Sequence, residues 1–298
     1  MIYWPAFDFS YTLDVPRLLP HIAAIEASRT AATLRIRPPQ WRVLSALEEM
    51  EASLRDLSPE QGRNLDEIEL RKQRFLITNA SPAQAWVRQR FVPGSDPISL
   101  ADILNMHRMV ALESGIRYNS AGAFRQDGRG VVVGKDGIGC HTGAPATKLP
   151  RLMDEYIELV NGRTLISMPP VIHAQVAHFF FTTIHPFDDG NGRVSRLVAA
   201  AFLFQRGYNG HGFYALFHHF YQNDARYYSL LQQCWQQPPP FDLTPFVAFG
   251  MEGLALELRG INSFIKVRLH RTDEREILTP ALKEKAERTM KESFQLLE

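Results

Sequence analysis

One run of twelve residues, His185-Pro186-Phe187-Asp188-Asp189-Gly190-Asn191-Gly192-Arg193-Val194-Ser195-Arg196, gathers the chain's most reactive side chains. His185 has the side-chain type that accepts a proton near neutral pH, with a reference pKa of about 6.5. Asp189 is a hard oxygen ligand of the kind Mg2+ takes alongside phosphate oxygens. Arg193 and Arg196 are three residues apart, so on a helix they share a face and can grip outer phosphates. A helix starting in this run would aim the unpaired N–H groups of Gly190–Arg193 at whatever fills the loop, with the dipole adding to their pull on an anion. Phe187 is expected to point into the core and Pro186 to restrict His185. Together these groups suit transfer chemistry on a polyphosphate.

Such a loop needs rigid neighbours. On its N-terminal side Val171–Ile184 is apolar almost all round, the pattern of a helix at the centre of a bundle. On its other side Arg193–Gln205 reads as a second buried helix. Further helices are predicted from Pro16 to Ala31, Trp41 to Leu57, Ser58 to Asn79, Leu100 to Glu113 with Ser99 as its cap, Thr147 to Asn161, Asn223 to Gln236, and Pro245 to Gly260. Another opens at Ser81-Pro82, and Thr279–Glu298 reads as an amphipathic tail. The residues before Pro16 read as extended, their aromatics forming a strap over the helices. The 115–146 region is glycine-rich, and Val131-Val132-Val133 followed by Gly134-Lys135-Asp136-Gly137 predicts a short hairpin. The expected fold class is mainly α, a helical bundle with a short β-hairpin.

The run HPFDDGNGRVSR resembles the signature of the Fic family, HPFx(D/E)GNGRxxR, with every fixed position matched. The resemblance implies a Fic-type helical core that moves AMP from ATP to a protein hydroxyl. His185 would take the hydroxyl proton and Asp189 would hold Mg2+ against the α- and β-phosphates. Gly190, Asn191 and Gly192 would bind those phosphates through backbone and side-chain donors, Arg193 would grip the β-phosphate, and Arg196 the γ-phosphate. The hairpin at about 129–144 is similar to the family's flap, which clamps the target by strand addition. Tyr227-Tyr228 in ARYYSLL is similar to the segment lining the nucleotide base. The start WPAFDF resembles larger Fic proteins with an N-terminal helical domain. The chain is accordingly divided into an N-terminal helical region (1–96, closing on the linker-like FVPGSDP), a catalytic core (97–255) and a helical tail (256–298).

Many family members silence themselves with [S/T]xxxE[G/N], whose Glu pairs with the second motif arginine, here Arg196. No complete match occurs. Ser45–Glu49, ending on Glu49 before Met50, is the candidate degenerate inhibitory motif, and Thr272–Glu276 a weaker one. The open readings are constitutive activity, restraint by a separate inhibitory partner, or a Glu in an unrecognised context.

Composition narrows the setting. A net charge of +1 gives no global field for nucleic acid or an anionic membrane, and two cysteines exclude a disulfide scaffold. MIYWPAFDFS lacks the layout of a signal peptide, and no apolar run reaches the ~20 residues of a membrane span, so a cytoplasmic protein is expected. His173 and His178 are five apart, which is not the pairing of a helical zinc site. The expected partner is a hydroxyl-bearing protein target, the chain itself included, and paired helix surfaces common in the family allow a homodimer. Competing functions are transfer of another nucleotide, of phosphocholine or of a phosphoryl group, and a silent interaction module. Gly190 and Gly192 favour AMP over phosphoryl transfer, because the phosphorylating branch carries bulkier or basic residues there.

Overall fold

Prolines and apolar spacing set most element boundaries, and the structure, a computed structural model, describes residues 4–35, 82–111, 120–126, 132–135, 138–208, 219–220 and 223–273. The expected helices at Trp41–Leu57 and Ser58–Asn79, the charged tail after Thr279, and the Ser45–Glu49 segment with Glu49 lie outside the described residues.

Helix α1 spans Val15–Arg35, α2 82–90 and α3 Leu100–Ala111. The hairpin strands follow, and then α4 (Leu149–Val160), α5 (Arg163–Ser167), α6 (Pro170–Ile184), α7 (Asn191–Gln205), α8 (Asp224–Trp235) and α9 (Thr244–Asp273). Ser99 caps α3 as the sequence predicts. Its hydroxyl donates to Asp102 at 2.7 Å, the Asp102 N–H donates back to it at 3.2 Å, and Arg90 holds the same carboxylate at 3.1 Å. Pro170 opens α6 within its first turn, where a missing N–H costs nothing.

Helix α6 is the central helix: Val171 to Ile184 are all buried. Its main neighbour is α7, whose Val194, Val198, Ala199 and Ala201 are fully enclosed. The N-terminal aromatics form the expected strap, with Phe9 and Tyr11 packing edge-on against Phe180 of α6 at ring distances of 5.2 and 5.9 Å. Helix α1 lies along α9, where Asn262 donates to the Ser28 carbonyl at 2.8 Å. The hydrophobic core runs without a break from Phe7 through α2 to Leu258. No helix among the described residues is long and apolar enough to cross a membrane.

The hairpin forms where expected. Strands β2 (Val132–Lys135) and β3 (Ile138–Thr142) pair antiparallel, Val132 opposite Thr142. A second pairing was not foreseen. Numbered in chain order, Tyr11–Thr12 is β1 and Phe241–Asp242 is β4, and the two run parallel. Two other expectations are corrected. Helix α7 begins at Asn191, two residues before the predicted start, because Gly190 caps it in the left-handed conformation. Helix α9 runs through Gly260 to Asp273, because α1 gives its later turns a surface to pack on.

Candidate active site

The reactive loop is held by backbone geometry first. Residue 185 ends α6 as a left-handed C-cap (φ 55°, ψ 63°), and His185 is the one non-glycine with positive φ among the described residues. Such a conformation is rare for non-glycine residues and needs outside support. Its N–H donates to the Phe181 carbonyl at 3.0 Å. Its carbonyl accepts from Nε of Arg125 at 2.8 Å. Its Nδ1 lies 3.3 Å from the Thr182 carbonyl, which can only accept. Nδ1 therefore carries the proton, and Nε2 is left with a lone pair. Burial, the largest cause, pushes the His185 pKa down to about 4, helped by Arg125 and His141 and opposed by the Thr182 contact and Asp189. At neutral pH the ring is a free base.

Two buried side chains then fix the loop. Phe187 is fully enclosed, as expected, and stacks flat on His107 at 3.7 Å. Nδ1 of His107 accepts from Gly122 N–H at 3.0 Å, so its Nε2 is the donor to the Asp189 carbonyl at 3.1 Å. Asn191 donates to the Phe187 carbonyl at 2.7 Å and accepts from Phe187 N–H at 2.9 Å. The Asn191 amide therefore braces the loop through the Phe187 backbone.

Gly190 sits at φ 82°, a turn that a side chain would strain. No side chain caps α7 among the described residues. The first-turn N–H groups of Asn191, Gly192 and Arg193 have no partner four residues back within the helix. Two charged groups, Asp189 and Arg193, belong to the same stretch. Arg193 donates to the Val110 carbonyl at 2.8 Å and pairs with Asp189 at 3.0 Å. The Asp189 side chain is 42% exposed, while that of Arg193 is only 11% exposed. The half-exposed Asp189 carboxylate is the kind of ligand Mg2+ takes, since that ion keeps several waters and needs no cage of protein ligands. Arg196 is half-buried one turn further along.

The tyrosines divide. Tyr227 is buried, its hydroxyl 2.9 Å from Nε2 of His178 and its ring stacked on Phe220 at 5.2 Å. Burial, chiefly, drives its pKa well up, against a hydrogen bond with Thr182 and the charge of Arg196, which lower it. Of the predicted pair only Tyr228 keeps partial exposure.

Sequence reasoning missed His107 and Arg125. Neither carries a spacing signal: His107 is a lone histidine on α3, and Arg125 lies in a glycine-rich stretch without periodicity. His107 yields a prediction. His107→Phe keeps the ring stack and loses both hydrogen bonds, leaving the half-buried Gly122 N–H without its acceptor. Urea unfolding should show a loss of roughly 1–3 kcal/mol. An unchanged midpoint would mean that the two bonds add nothing to the fold.

With this geometry in place, the likeness to known proteins is specific. The Fic/DOC family profile matches residues 97–203. Protein adenylyltransferase Fic from Aedes aegypti is 33% identical over 132 residues, which are 44% of this chain and 25% of that protein. The chain thus spans about a quarter of the length of that relative. Among solved structures, a Fic family protein from Desulfovibrio desulfuricans superposes with a TM-score of 0.62 at 20% identity, covering 92% of this chain and 80% of the other. A Fic domain containing signaling protein from Bacteroides thetaiotaomicron gives 0.60 at 17% identity, over 82% and 98%. Those two likenesses carry the helical fold. The loop at His185–Arg196 lies inside the matched segment, so the stretch similar to the Fic/DOC family includes the reactive loop.

Proposed function

We propose that this chain transfers AMP from ATP to a Ser, Thr or Tyr hydroxyl of a protein, with pyrophosphate as leaving group. One observation carries the reading: an uncapped helix start, its first-turn amides backed by Asp189 and Arg193, stands beside a histidine whose Nε2 is a free base. The relatives named protein adenylyltransferase support the same reaction class.

The amides of Asn191, Gly192 and Arg193 would receive the α- and β-phosphates, with Arg193 on the β- and Arg196 on the γ-phosphate. Asp189 would hold Mg2+, which supplies positive charge against the phosphates. The target oxygen attacks the α-phosphorus, its proton passes to Nε2 of His185, and the bond between the α-phosphorus and the bridging oxygen breaks, leaving the electron pair on pyrophosphate. The flap, β2 and β3, offers backbone edges on which a target segment adds as a strand.

Product analysis tests the reading. With Mg2+ and ATP the protein should release pyrophosphate in step with AMP appearing on a protein hydroxyl, its own included. Release of ADP with a bare phosphate on the acceptor would replace AMP transfer by phosphorylation.

A further inference from the structure

We propose that Arg125 is a positioning residue that ties the base of the flap to His185, so that the strand receiving the target and the base receiving its proton are held as one unit. The inference rests on the AMP-transfer reading and adds a residue to it.

Arg125 is 5% exposed. Its backbone N–H donates to the Pro186 carbonyl at 3.0 Å. Its Nε donates to the His185 carbonyl at 2.8 Å. Its NH2 group donates to the carbonyl of Ala144, two residues beyond the end of β3. The Ala144 N–H in turn donates to the Ile184 carbonyl at 3.0 Å. Three segments therefore meet at one guanidinium: the approach to the flap, its exit, and the first residues of the reactive loop.

Packing at this joint is tight. A Cβ on Gly143 would stand 2.9 Å from NH2 of Arg125, closer than real Cβ contacts, and 3.0 Å from Cβ of His185, tighter than most, so a side chain here would push on both. The left-handed conformation of His185 is held through the carbonyl that Arg125 grips. A fork of planar donors can bond two carbonyls on different segments at once, which an ammonium does less well. The Arg125 charge also works against protonation of His185, though less than burial does. If the fork is removed, His185 is free to leave its left-handed position and the flap's exit to drift from it. The ATP cradle, which belongs to α7, keeps its own contacts.

The test compares wild type, Arg125→Lys and Arg125→Met in initial rates of self-labelling from α-labelled ATP, with thermal unfolding as the check on folding. For Arg125→Met the maximal rate should fall about 10- to 100-fold, the scale of a misplaced reacting group, with half-saturating ATP within about twofold of wild type. Arg125→Lys should recover part of that rate. Should Arg125→Met not fold, Arg125→Lys decides: a several-fold lower rate at unchanged half-saturating ATP supports the inference. A wild-type rate in either folded variant overturns it and leaves AMP transfer standing. No incorporation by wild type itself overturns the AMP-transfer reading, and the inference with it.

Discussion

His185→Ala should cut AMP transfer by ~10²–10⁴, the contribution of a positioned general base, while ATP binding stays close to wild type. The expectation follows from what the ring touches. Nδ1 is committed to the Thr182 carbonyl, and burial keeps the pKa down at about 4, so Nε2 faces the site as a lone pair throughout the neutral range. No bond from the imidazole goes to Arg193, Asp189 or the first turn of α7 among the described residues, so removing it leaves the phosphate cradle in place. The backbone complicates the substitution, because position 185 is left-handed. Asparagine tolerates that conformation better than most residues and has no basic nitrogen. His185→Asn should therefore lose as much rate as His185→Ala while unfolding closer to wild type. Transfer by His185→Asn at more than about a tenth of the wild-type rate would show that another group takes the proton.

The second large effect is acid lability. Four histidines, His141, His173, His178 and His185, have pKa values lowered to about 4, 4, 3 and 4, in each case first by burial. The geometry agrees. His141 bonds the Thr183 carbonyl at 3.0 Å, and His173 bonds the Val160 carbonyl at 2.9 Å and stacks on Phe202. Below about pH 6.5 the unfolded chain takes up protons that these folded rings refuse. Their contribution is complete above pH 6.5 and is lost as the pH falls towards 4. At pH 5 each ring costs the folded state on the order of 2 kcal/mol, against a total stability of about 5–15 kcal/mol for an ordinary domain. The midpoint of thermal unfolding should therefore fall steeply from pH 7 to pH 5, and His173→Phe should make that slope shallower. An equal midpoint at the two pH values would refute the assignment of His141, His173 and His178 as buried and neutral.

The reactive loop was legible in the sequence because its signal is local. An apolar run, a polar glycine-bearing turn and a second apolar run can only be two buried helices and the corner between them. The flap was legible for a similar reason, since Val132 and Val133 beside a Gly/Asp turn have few other uses. What escaped depends on distant partners. The β1–β4 pair joins Tyr11 to Phe241 across most of the chain, and two residues per strand leave no periodicity to read. The resemblance assigns Asn191 to phosphate and Tyr227 to the base; that Asn191 also bonds both backbone groups of Phe187, and that the buried Tyr227 hydroxyl meets His178, depends on partners folding brings to them. Arg125 and His107 are single polar residues whose meaning lies in carbonyl and amide groups brought to them by folding.

The proposed transfer of AMP from ATP to a protein hydroxyl, with His185 as base, is decided by incubation with Mg2+ and ATP labelled at either the α- or the γ-phosphate, with His185→Ala alongside. Protein-bound label should come from the α position only and be lost in His185→Ala. Label from the γ position alone, or α-label that survives in His185→Ala at the wild-type rate, would contradict it.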